Sequence, residues 1–222
     1  TLEPLSARIT SALLDLEEDV GGNSRSGGNR ISEYPWGAHY LPVPGKDAHY
    51  VRLLLEEMGV ITGRDAKGNL VYDETALCAA PSERLFLHGR WQDGLVPSTG
   101  LDAVERRELE LFFALMATSR QARGGDGKRA FVIPLDHSSR DQQFLRLDQQ
   151  TMAEFLSERG LNSKPLRWYV DYCCRDDFGT SLHETSAWAG IHYFASRHGD
   201  NHDEGGVLTW PEGNARIVKH LR

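Results

Sequence analysis

Asp15 closes the apolar run Leu13-Leu14-Asp15-Leu16, and Gly21-Gly22-Asn23-Ser24 follows it after the acids Glu17, Glu18 and Asp19. A carboxylate at a strand end can accept hydrogen bonds from both hydroxyls of a ribose, which is how βαβ nucleotide-binding folds hold that sugar. Paired glycines let the backbone approach a bulky ligand, and Asn23 and Ser24 can donate hydrogen bonds to it. The same residues also read as an acidic strand end running into a solvated turn. The residues alone leave both readings open.

A second group comprises Cys173, Cys174, His183, His192, His198 and His202. Structural zinc sites use cysteines two to four residues apart, and a vicinal pair fits that geometry poorly, so no metal is assigned. A Cys/His nucleophilic pair has the same residues available, as does a pair of core cysteines on a helix. Trp168 to Gly179, WYVDYCCRDDFG, sets aromatics and acids around one helix end. By its residues it reads as an amphipathic helix with a charged end.

The elements that position these groups follow from periodicity. Ile9 to Leu16 reads as a short buried strand, and Gly21 to Asn29 as a glycine-rich loop. Tyr34 to Gly45, YPWGAHYLPVPG, holds three prolines and two glycines. It therefore reads as a structured, buried connection rather than a long regular element. Val51, Leu54, Leu55 and Met58 fall at helical spacing over Ala48 to Met58, with Gly59 placed to close the helix. NLVYDE and ERLFLHGRWQDGLVP read as short strands, the latter a hairpin turning near Gly89.

Asp102 to Arg123 is the longest helix candidate, with Val104, Leu111, Phe112, Leu115 and Met116 on its apolar side. ARGGDGKRA closes it as a loop, and FVIPLDHSS reads as extended. Thr151 and Glu154 have capping-box spacing before a helix that Gly160 stops. Further helices are expected over Lys164 to Arg175 and Leu182 to Arg197, the second with Ser181 and Glu184 at capping-box spacing. HGDNHDEGG reads as a polar loop, and VLTWPEGNARIVKHL as a strand, a turn and a helix start.

With 222 residues, 40% hydrophobic and 26% charged, the chain has the composition of an ordinary globular protein able to bury a substantial core. The net charge of -7 and the lack of a dense Lys/Arg run argue against a nucleic-acid groove. No apolar stretch approaches the ~20 residues of a membrane span. Three cysteines, two of them adjacent, give no disulfide framework and favour a reducing compartment. Because the chain starts at Thr1, a lost signal peptide stays open. The expected location is cytoplasmic or periplasmic.

LLDLEEDVGGNSRSG resembles the second-strand motif of flavin-dependent amine oxidases and their relatives, FAD- or NAD(P)-dependent oxidoreductases. YPWGAHYLP resembles the following segment, which runs beside the flavin ring. GGVLTWPEGNARIVKHL resembles the return from the substrate domain to the FAD domain. The three segments occur in the family's order, so the resemblance spans nearly the whole chain.

It implies an α/β (α+β) fold. Residues 1–45 would be part of a Rossmann-like FAD- or NAD(P)-binding domain, residues 46–205 a largely helical substrate domain, and residues 206–222 the return segment. Residues 1–45 and 206–222 would come together. It also implies FAD as cofactor and hydride transfer to flavin from a small-molecule substrate, an amine or another activated C–H compound. Asp15 would hold the adenosine ribose. Gly21, Gly22, Asn23 and Ser24 would pass close to the cofactor, and Trp36, Gly37, Ala38 and His39 would lie beside the flavin ring. No catalytic base is assigned.

The family's Gly-x-Gly-x-x-Gly loop would precede Asp15, where Thr1 to Leu14 contains no glycine. These 222 residues alone are therefore expected not to hold FAD tightly, so the isolated chain can be inactive, and two further readings stay open. One is a non-catalytic binding or assembly protein built on a flavoenzyme core. The other is one chain of a split enzyme whose partner chain supplies the phosphate loop and the C-terminal flavin segment.

Overall fold

The structure, a computed structural model, describes residues 16–78, 83–197 and 206–222. They divide into two compact units. One comprises residues 16–44, 50–78 and 206–222, and the other residues 45–49 and 83–197. The class is mixed α and β. Every named sheet among the described residues is antiparallel. Asp15 and the rest of Ile9 to Asp15 lie outside the described residues, while Leu16 sits in a bend and is exposed.

In the first unit, β1 (Ser26–Gly28) and β2 (Glu33–Pro35) form a hairpin. The expected glycine-rich loop is thus a single tight turn at Gly22–Ser24 followed by a strand. Asn29 makes the reversal by accepting the N–H groups of Ile31 and Ser32 on its Oδ1, at 2.7 and 3.1 Å. This local side-chain bond is what sequence pattern alone passes over.

β3 (Tyr40–Pro42), β9 (Val207–Thr209) and β6 (Leu77–Cys78) make a sheet with β9 in the middle. Pro42 is tolerated because β3 is an edge strand. Leu208 faces Leu41 on one side and Leu77 on the other, and it is fully buried. Leu55 from α1 (His49–Glu57), Val60, Ile61 and Ala76 complete this core. Gly59, at φ 72°, ends α1 as its position predicts. β4 (Ile61–Arg64) and β5 (Leu70–Tyr72) form a second hairpin, and α7 (Ala215–Leu221) follows β9.

The second unit is mainly helical. β7 (Arg84–Leu87) and β8 (Arg90–Asp93) turn at His88 and Gly89, both at positive φ. α2 (Ala103–Gln121) starts at a capping box in which Asp102 and Glu105 bond each other's backbone N–H at 2.8 and 3.0 Å. α3 (Gln142–Leu145) is a single turn. α4 (Met152–Glu158) has the expected Thr151/Glu154 box, and α5 (Lys164–Phe178) stops at Gly179.

α6 (Ala187–Ser196) begins at Ala187 rather than Leu182. Ser181 spends its hydroxyl on Glu184 Oε2 inside a turn, and Ser186 caps the helix instead, accepting the Ala189 N–H. Phe112, Met116, Met152, Leu156, Leu166, Val170 and Ile191 form the centre of this unit.

Candidate functional site

Ala38 is the knot of the first unit. Its N–H donates to the Asn23 carbonyl at 2.7 Å, and its own carbonyl accepts the Asn214 N–H at 3.0 Å. Asn214 also donates from Nδ2 to the Tyr40 carbonyl at 3.0 Å, and the Thr209 hydroxyl donates to the His39 carbonyl at 2.7 Å. One residue thereby ties together the glycine turn, the aromatic segment and the return segment.

The approach requires glycine at two places. A Cβ on Gly37 would stand 2.7 Å from the Asn23 carbonyl oxygen. A Cβ on Gly213, at φ 62°, would stand 2.6 Å from Pro35 Cβ and 2.9 Å from the Ala38 oxygen. Neither fits without moving backbone, since real contacts stop well outside those distances.

Beside this junction lies a cleft of about 610 Å³. One wall is the turn and hairpin, with Asp19, Ser24, Arg25, Glu33 and Trp36. The other is the face of α7 presented by Ala215, Val218, Lys219 and Arg222. Those four positions recur at i, i+3, i+4 and i+7, so they share one helix face. Trp36 is 69% exposed and sits edge-on to Tyr34. Tyr34 to Gly45 is half-buried or exposed at every position but Pro44, not the buried connection expected of it.

The cleft's cations all meet carboxylates. Arg25 pairs with Glu17 at 3.0 Å, Lys219 with Glu33 at 2.8 Å, and Arg222 with Asp19 at 3.3 Å. Lys219 also stands 3.9 Å from the buried Glu212, which lies 3.8 Å from Arg216. Exposed pairs of this kind contribute only ~0.2–1 kcal/mol each, so a ligand anion can take over such a cation. Among the described residues of this unit, two buried polar atoms lack a hydrogen-bond partner, Arg25 Nε and Asn214 Oδ1.

The residues expected at a cofactor are placed as follows. Ser24 and Trp36 line the cleft. Gly21, at φ 124°, packs on Val218, whereas Gly22, at φ 50°, faces open space. Asn23, Gly37 and Ala38 form the junction through their backbones, and His39 Nδ1 meets the Gly37 carbonyl at 3.1 Å. Arg25, Lys219 and Arg222 were missed by sequence reasoning. The helical spacing of 215, 218, 219 and 222 is the signal that could have found two of them.

In the second unit, Cys173 and Cys174 are buried in the core. Burial pushes both thiols up to about 11, so they stay protonated near neutrality despite hydrogen bonds from Tyr169 and Tyr193 to Cys173 and from Thr185 to Cys174. His192 bonds the Val132 carbonyl through Nε2 at 2.9 Å and stacks on Trp188. His183 is exposed, and His198 and His202 lie outside the described residues.

Asp171 accepts the Leu182 N–H and the Arg175 Nε, and Asp177 pairs with Arg197. Trp168 and Tyr172 stack on the outer side of α5, both partly exposed. The thiols are core residues, and these two acids are fastenings between elements.

Among the described residues, no helix is long and apolar enough to cross a membrane. No protein-family model, curated protein or solved structure matches this chain.

Proposed function

We propose that the first unit is part of an FAD site and that the protein is an FAD-dependent oxidoreductase of the amine-oxidase type. The observation that carries this reading is the Ala38 junction, in which the three segments that resemble that family meet in one unit. Their sequence order alone would not bring Asn23, Ala38 and Asn214 together.

The residues fit such a cofactor in kind. Gly22 offers open backbone, Ser24, Arg25, Lys219 and Arg222 supply donors for phosphate and hydroxyl oxygens, and Trp36 offers an exposed aromatic face. Arg25 Nε and Asn214 Oδ1 are polar atoms in search of a partner in the same unit. Asp15 is assigned to the ribose by resemblance, and a Rossmann-like arrangement around it belongs to the same proposal.

When bound, FAD supplies the isoalloxazine that accepts a hydride from an amine or related C–H substrate. The chain's share is to hold and orient it. Trp36, Gly37, Ala38 and His39 form the rigid side of the site, because Ala38 is fixed through both its N–H and its carbonyl.

The test is the visible spectrum of the protein isolated from the cells that make it, followed by identification of any cofactor released on denaturation. A two-banded flavin spectrum and released FAD are expected. A colourless protein that releases no flavin would overturn the reading. In the flavin-bound protein, Asp15→Ala should weaken FAD by ~1–3 kcal/mol through loss of charge-assisted hydrogen bonds.

A further inference from the structure

α7 is attached to its unit in two different ways. Its N-terminal end is locked by backbone. Asn214 bonds Ala38 and Tyr40, Gly213 has no room for a side chain, and Ala215 is buried. Its C-terminal turn is held by charge. Lys219 Nζ meets both Glu33 oxygens at 2.8 and 3.0 Å, and Arg222 meets Asp19 at 3.3 Å. His220 Nε2 lies 3.2 Å from Glu57 on α1.

The apolar hold on that turn is slight. Ala215 is the one fully buried residue of α7, Leu221 is 68% exposed, and Val218 packs on Gly21, which has no side chain. Both partners of the Lys219–Glu33 and Arg222–Asp19 pairs line the cleft, so these pairs run from one wall to the other.

We propose that α7 is an ionic strap across this cleft, hinged at Gly213–Asn214, whose C-terminal turn loosens as ionic strength rises. Surface pairs are screened over a distance that shrinks from about 30 Å at 0.01 M salt to about 3 Å at 1 M. Gly213–Asn214 itself is held by hydrogen bonds between neutral groups, which salt does not screen, and stays in place. Glu212, buried beneath Lys219 and Arg216, belongs to the hinge side and keeps a carboxylate near Lys219 when Glu33 lets go. The strap therefore controls how open the cleft is to any ligand, and it does not depend on that ligand being a flavin.

The test is hydrogen exchange in the intact protein at fixed pH, in low and in about 1 M sodium chloride. Amides of Lys219 to Leu221 are expected to exchange at least about fivefold faster in high salt, while those of α5 keep one rate. The Asp19→Asn/Glu33→Gln double variant leaves the sequence of α7 untouched, so intrinsic exchange rates do not change. In it these amides should exchange fast at both salt concentrations. The exchanged pair Asp19→Arg with Arg222→Glu should restore slow exchange at low salt. Salt-independent exchange in the parent protein, or an undiminished salt effect in the double variant, would overturn the proposal. The α5 amides report whether each variant is folded.

Discussion

The Asn23 carbonyl oxygen and the Ala38 N–H lie in a 2.7 Å hydrogen bond, and Gly37 passes so close that its missing side chain is what permits the contact. Gly37→Ala would place a methyl group 2.7 Å from that oxygen. Backbone must then move, so the substitution should destabilise the first unit by ~1–3 kcal/mol. Urea or thermal unfolding measures this. An unchanged midpoint would mean that the junction is not tight.

Phe112 is fully buried in the second unit and packs edge-on against Phe194, with ring centroids 4.9 Å apart. Phe112→Ala leaves a cavity there and should cost ~3–5 kcal/mol. A loss below ~1 kcal/mol in the unfolding transition would argue against this core.

His192 supplies a pH dependence. Burial disfavours its charged ring and holds its pKa below the ordinary 6.5, with the Arg197 guanidinium acting in the same direction. The Val132 carbonyl and Asp177 oppose them more weakly. The unfolded chain therefore binds a proton that the folded state refuses. This share of stability is fully present above the unfolded value. It is lost as pH falls below 6.5 toward the lowered folded value. His192→Gln keeps a donor near the Val132 carbonyl without a titrating ring. The decline in unfolding midpoint between about pH 7 and pH 5 should be shallower in that variant. Identical slopes would remove His192 from the account.

Thiol chemistry follows burial. Cys78 is half-buried, while Cys173 and Cys174 are enclosed and held protonated. A thiol-specific reagent near pH 8 should label Cys78 first in the native protein and reach the other two on unfolding. Native labelling of Cys173 or Cys174 at the rate of Cys78 would show that α5 is not packed as described.

The legible parts of this fold are those written in local chemistry. Thr151 and Glu154 cap α4 because the two residues satisfy each other's backbone, and that spacing needs no tertiary context. Gly59 and Gly160 follow helix ends where their positions suggest, whereas α5 runs on past the expected Arg175 to Phe178. α2 was legible as a helix but not face by face. Leu109 is buried, while Val104 is 65% exposed, because neighbouring elements decide which apolar side turns inward.

Ser181 and Glu184 show the opposite outcome. They have capping spacing, but the backbone turns there, and Asp171 takes the Leu182 N–H. The cleft was least legible. Glu33 and Lys219 are 186 positions apart, and nothing local announces that they meet.

Residues 21–24 and 36–39 are proposed to face a flavin. Hydrogen exchange of the protein with and without saturating FAD tests it most directly, segment by segment. Slowed exchange is predicted at Gly21–Ser24 and Trp36–His39, where free backbone and ordered junction would both be shielded by a bound ring system. Exchange that is the same with and without FAD in those two segments would contradict the claim.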